Sequence, residues 1–215
     1  RTLQPLIAGR PVTVQLEARG KGMHMAWAKR FVRGGLGVGG AAVAALIGYL
    51  GYLQVSGNFH QVVADEVYRS AQVSKDDIAA YRSGYGIQSI LNLRGAAPGE
   101  AWYDEELAAS AALGLTHADF AMNASQELSA ADAARLIALM RAMPKPLLVH
   151  CRHGSDRTGL AMSLYLAAIS GADEETAEGQ LSLWFGHFAV PALSDAWPMD
   201  QSWEQLEPGL GFVES

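Results

Sequence analysis

The chain predicts an α/β fold: a central, mostly parallel sheet flanked by helices, with a hydrophobic helix ahead of it. Three observations carry that expectation. From about residue 67 onward, short apolar runs alternate with longer amphipathic ones, the pattern of strands covered by helices. The apolar run Pro146-Leu147-Leu148-Val149 leads into a glycine-bearing loop and then a helix-like run, Leu160-Ala161-Met162-Ser163-Leu164-Tyr165-Leu166. Residues 34–58 contain no charged side chain at all.

Taken in order, residues 1–33 form a basic N-terminal tail and 34–57 a transmembrane or signal segment. The uncharged stretch is long enough to cross a bilayer, for which about 20 apolar residues suffice. Lys29, Arg30 and Arg33 flank its N-terminal side, which places the N-terminus in the cytoplasm and the domain beyond the membrane. Three readings stand: a retained anchor in a bacterial inner membrane with the domain facing the periplasm, a signal peptide cleaved near Val55-Ser56-Gly57, or a glycine-rich helix packed on the domain. Met23 and Met25 are sensible starts, so residues 1–22 are expected to carry little ordered structure.

The domain itself is expected over 58–215. Val67-Tyr68-Arg69-Ser70 reads as a short strand. Ser74 caps a helix with Asp76 and Asp77 in its first turn. A strand follows at 87–93, a helix at 101–113 and a strand at 115–122. Ser129 caps a helix that Pro144 stops. Then come the strand 147–151 and the helix 158–170, ended by Gly171. Further helices are expected at 173–184 and 185–191, and a C-terminal tail docked through Trp197 and Trp203.

The chemistry concentrates in His150-Cys151-Arg152-His153-Gly154-Ser155-Asp156-Arg157-Thr158-Gly159. A loop entering a helix N-terminus turns free N–H groups inward, and the helix dipole adds positive potential, so a phosphate fits the cup. Cys151 at its floor is expected to be an activated thiolate nucleophile. Arg157 grips two phosphate oxygens with its planar fork. Gly154 is expected at positive φ so that the N–H groups converge. Thr158 is expected to donate its hydroxyl to the Cys151 sulfur, and His150 to order the loop. Arg152 and His153 face outward, toward substrate, and with Gly154, Ser155 and Thr158 complete the substrate-binding set.

Composition excludes several alternatives. One cysteine rules out a disulfide framework and a multi-cysteine zinc site, and leaves an oxidised Cys151 no internal partner. His24, His60, His117 and His187 are singletons without ligand spacing, so neither metal nor cofactor is expected. Residues 1–57 carry seven Lys/Arg against Glu17 alone, net +6; the remainder carries net −12, which together give the chain's −6. So acidic a domain does not attract nucleic acid over a broad surface, and an anionic substrate must be captured locally.

These residues resemble the signature of the cysteine-dependent protein tyrosine and dual-specificity phosphatases, His-Cys-x5-Arg-(Ser/Thr)-Gly. With Tyr68-Arg69-Ser70-Ala71-Gln72 and Ile90-Leu91-Asn92-Leu93-Arg94, the likeness extends from about Asn58 to His187 and is similar to a bacterial dual-specificity-like subgroup. The resemblance implies a phosphatase-type α/β sheet with the loop at the C-terminal end of a central strand, and a cysteinyl-phosphate mechanism without cofactor. It implies a phosphorylated protein or small phosphomonoester as substrate, with Arg69 or Arg94 lining the rim or bracing the loop. A phosphoinositide phosphatase and a non-catalytic phosphate-binding module are the alternatives; a rhodanese-like sulfurtransferase fits poorly with Arg157-Thr158-Gly159.

The family usually supplies a general acid from an aspartate on a separate loop. The corresponding stretch, Asn123-Ala124-Ser125, has no carboxylate. Asp156 ranks first as acid, as in the resembling myotubularin-type enzymes, then Asp119, then Glu127.

Overall fold

The computed structural model describes residues 40–212. The chain divides into two compact units, Arg1–Gly48 and Tyr49–Ser215. Residues 40–55 are helical (α1). Among the described residues no helix is long and apolar enough to cross a membrane. The expected span 34–57 lies partly outside them, and the basic tail 1–33 lies wholly outside them.

The second unit is built on a five-stranded sheet in the order β1-β2-β5-β3-β4. Its strands are β1 His60–Val63, β2 Val67–Ser70, β3 Ser89–Asn92, β4 Thr116–Asp119 and β5 Leu147–His150. β1 pairs antiparallel with β2; every other pairing is parallel. β1 is an element the sequence reading missed. The central strand β5 is buried throughout, which its apolar run Leu147-Leu148-Val149 requires.

Side chains alternate between the two faces. Val67, Leu91, Leu147 and Val149 pack on one face with Leu136 and Met140 of α4 (Ala130–Ala142), Leu160, Ala161 and Leu164 of α5 (Asp156–Tyr165), and Trp203 of α7 (Trp197–Leu206). Tyr68, Ile90 and Leu148 pack on the other with Ile78 of α2 (Lys75–Tyr85) and Ala109 of α3 (Ala101–Ala112). α2 starts with a full capping box between Ser74 and Asp77, and Ser129 caps α4 by accepting from the Asp132 amide. The strand row Ser70, His150, Asn92, Asp119 is in register across β2, β5, β3 and β4, so these four residues mark one edge of the sheet. The signature loop after β5 and the segments after β2 and β3 leave the sheet at that edge.

The C-terminal third differs from expectation. In place of two helices over 173–191 there is only α6, Glu174–Glu178, and a short 3-10 turn, Leu183–Phe185. Gly186, at φ +79, ends that turn in a left-handed conformation. The tail is a true helix, α7, with Pro198 in its first turn. Met199, Ser202 and Trp203 are buried on one helical face, a spacing of three and four that was readable in the sequence. α5 begins at Asp156, two residues earlier than expected, and its end loosens into a π-type turn, Leu166–Ser170, capped by left-handed Gly171.

Candidate active site

The signature loop runs from the end of β5 to the first turn of α5, with Cys151 buried at its floor. The Gly154 N–H donates to Cys151 Sγ at 3.3 Å. Gly154 has φ +71, and a Cβ there would lie 2.7 Å from the backbone of Ser70 and Ala71. Only glycine lets the loop pack this tightly on the end of β2. Thr158 departs from expectation: its Oγ1 is buried without a hydrogen-bond partner, so the sulfur takes the Gly154 amide rather than the threonine hydroxyl. Arg157 donates to the Met122 carbonyl at 3.3 Å, which draws the chain after β4 toward the pocket. Arg152 and His153 are exposed on the loop, whereas Ser155 is buried at the cap of α5.

The two accessory motifs converge on this loop. Arg69 is fully buried; its Nη2 donates to the carbonyls of Gly154 and Ser155, and its Nη1 to Gln180. Its guanidinium lies 3.9 Å from the centroid of the Phe185 ring. Burial pushes Arg69 down to about 9, which leaves it charged at neutral pH. Arg69 therefore braces the loop from behind. Arg94 stands at the rim, stacked on Trp102 at 3.3 Å and donating to Gln72 Oε1 at 2.6 Å. Burial, then repulsion from Arg157 and Arg152, lowers its pKa.

Two carboxylate clusters flank the loop, and the sequence reading recognised neither. Glu106 of α3 is buried; its Oε1 meets His150 Nε2 at 3.0 Å and His117 Nε2 at 2.8 Å, and its Oε2 accepts from Gln72 Nε2 at 2.6 Å. Burial alone would raise its pKa, but the bonds from His117, His150 and Gln72 lower it to about 2. On the other side, His187 lies between Asp156 Oδ1, 2.8 Å from Nδ1, and Asp200 Oδ2, 3.0 Å from Nε2. Burial alone would lower its pKa, but the two carboxylates raise it to about 9.

The acid candidates are thus all engaged. Asp156 faces His187. Asp119 ends β4; its Oδ1 accepts from Asn92 Nδ2 at 2.7 Å and its Oδ2 from the Tyr103 hydroxyl at 2.5 Å. Glu127 accepts from Gln205 Nε2 of α7 at 2.8 Å. Among the described residues no cluster of three or more His, Cys, Asp or Glu is arranged to hold a metal.

Comparison with known proteins bears on this geometry. A family model described as "Swiss Army Knife protein, DSP-PTPase phosphatase domain" matches residues 57–204. The fold is similar to that of TpbA from P. aeruginosa, at 19% identity and a TM-score of 0.54 over 73% of this chain and 92% of that one. A second TpbA structure, in complex with pTyr, matches at 17% identity and a TM-score of 0.55, over 74% and 93%. PTPMT1 matches at 11% identity and a TM-score of 0.53, over 71% and 98%. No curated protein sequence matches the chain.

Proposed function

The chain belongs to the Swiss Army Knife family of DSP-PTPase phosphatase domains, within the dual-specificity and tyrosine phosphatase superfamily, and from that premise we propose that it hydrolyses phosphomonoesters through a cysteinyl-phosphate. The observation that carries this is the Cys151 sulfur at the floor of a loop whose backbone is held from behind by Arg69. The Cys151 thiolate attacks phosphorus, the bond to the leaving oxygen breaks, and that oxygen takes a proton from an acid. Water then attacks the phosphocysteine, its proton returns to the acid and the thiolate leaves. Arg157 and the loop amides hold the equatorial oxygens in both steps. A phosphorylated protein is the preferred substrate class, in keeping with the pTyr bound by a TpbA neighbour. The PTPMT1-like fold adds no preference for another class.

For the acid, the local bonding favours Asp119 over Asp156. The partners of Asp119 are neutral, and a protonated Asp119 can donate to the Tyr103 oxygen, which accepts as well as donates. Asp156 is instead committed to the His187 ring, which Asp200 holds from its other nitrogen. The sequence-based order is therefore reversed in this reading. The test is hydrolysis of two aryl phosphates, one with a good and one with a poor leaving group. Cys151→Ser and Arg157→Lys are each expected to lose at least about a hundredfold in kcat on both, since one removes the nucleophile and the other the bidentate grip. Asp119→Asn should slow the poor leaving group far more than the good one. Full activity in Cys151→Ser would overturn the mechanism, and an equal loss on both substrates for Asp119→Asn would overturn the acid assignment.

We also infer that residues 34–57 direct the domain across a bacterial inner membrane, as anchor or cleaved signal. The change of charge across that stretch supports this. A reporter fused after Ser215 that works only in the cytoplasm would refute it.

A further inference from the structure

The segment 185–187 meets the signature directly at Asp156, through His187, and indirectly through Arg69 of β2 and Asn58. The Phe185 ring lies against the Arg69 guanidinium. Asn58 Nδ2 donates to both the Phe185 carbonyl, at 2.8 Å, and the His153 carbonyl, at 3.0 Å, which ties the segment to the loop backbone. His187 then joins Asp156, the first residue of α5, to Asp200 of α7. Gly186 suits the turn: its φ of +79 is left-handed backbone, and a Cβ there would stand 3.2 Å from Leu53 Cδ1.

Both His187 nitrogens sit within 3.0 Å of a carboxylate oxygen, and an ionised carboxylate can only accept. Both nitrogens must then carry hydrogen, which makes the ring a cation. We propose that His187 and Asp200 are positioning residues of the active site: through this imidazolium, α7 fixes the first turn of α5 and so the aim of Arg157. Asp156 is on this view the loop's attachment point, one residue before the arginine that grips phosphate. No local sequence signal pairs Asp156 with residues 31 and 44 positions away.

Arg69 of β2 and His153 of the loop lie within Coulombic reach of Asp156. Glu178 of α6 lies within reach of Asp200 and Glu204 of α7. Among the described residues, only Asp156 and Asp200 touch the imidazole through hydrogen bonds.

The inference rests on the hydrolase reading, and its test separates the two. The full chain is assayed on an aryl phosphate with a good leaving group, which makes the acid unimportant, between about pH 6 and pH 10, a range that brackets histidine titration. Asp200→Asn removes one of the two anions that hold the proton. It should move the alkaline limb of kcat/KM to lower pH by about one unit or more. His187→Gln should abolish that dependence and weaken competitive inhibition by inorganic phosphate about tenfold, because Arg157 is no longer held. Superimposable profiles for Asp200→Asn and the wild type would overturn the proposal, even if His187→Gln fails to fold. A wild type that hydrolyses nothing refutes the hydrolase reading instead; phosphate binding to the same proteins, measured by calorimetry, then decides the positioning claim, and equal affinities would sink it.

Discussion

The signature loop is held from two sides by buried charge, and the two sides are built in opposite sense. On the α3 side one carboxylate, Glu106, sits between the imidazoles of His150 and His117. On the α7 side one imidazole, His187, sits between the carboxylates of Asp156 and Asp200. Glu106 reaches both floor and rim: His150 immediately precedes Cys151, and Gln72 passes the hold on to Arg94. His187 reaches only the helix that follows the loop. The first cluster is anchored in the sheet and α3; the second depends on a C-terminal helix that must dock. The comparison teaches that a loop with few internal side-chain bonds borrows its rigidity from elements far away in sequence.

The comparison can be broken most directly at Glu106. Glu106→Ala leaves His150, His117 and Gln72 without their shared acceptor in a buried site. Its cost should be about 3–5 kcal/mol by urea denaturation, the range for breaking a buried pair by removing one partner. A loss under about 1 kcal/mol would mean that the α3 side holds nothing.

A second measurement sharpens the contrast through pH. Glu106 has a folded pKa near 2, below its unfolded value, so its contribution is present in full above about pH 4.5 and lost as pH falls toward 2. His187 has a folded pKa near 9, above its unfolded value, so its contribution is present in full below about pH 6.5 and lost as pH rises through 9. The thermal midpoint should therefore fall at both ends, with Glu106→Gln flattening only the acid limb and His187→Gln only the alkaline one. Variants that flatten the same limb would erase the distinction. The smallest effect is expected at Lys75, whose pairing with Glu105 at 3.8 Å is exposed. Lys75→Gln should change stability by less than about 0.5 kcal/mol, against which the buried clusters stand out.

How much of this was legible follows from how local each signal is. The signature, Gly154, the caps at Ser74 and Ser129, and the strand-helix alternation depend on neighbouring residues, and the sequence expressed them. The bracing role of Arg69 was half legible, because its motif was noticed but not its partners Gly154 and Gln180. Glu106 left a trace: it lies three residues after Tyr103 and four before Ser110, on the buried face of α3, where a lone carboxylate needs a reason. His187 left none, since its meaning depends on Asp156 and Asp200 meeting in space. Of the helices expected over 173–184 and 185–191, only Glu174–Glu178 forms, because Gly186 and the contacts of Phe185 and His187 hold the following stretch as a turn against the loop. The Thr158–sulfur bond failed because an amide from Gly154 occupies that role.

Cys151 is the chain's one thiol, and it lies at the floor of the loop. The protein therefore carries its own stoichiometric counter. A thiol-directed reagent adds at most one equivalent per chain, always at Cys151, so label taken up under native conditions reports the concentration of loops open to reaction. Label taken up after denaturation reports the concentration of chains. The ratio of the two grades any preparation without a substrate, a reference inhibitor or an engineered tag.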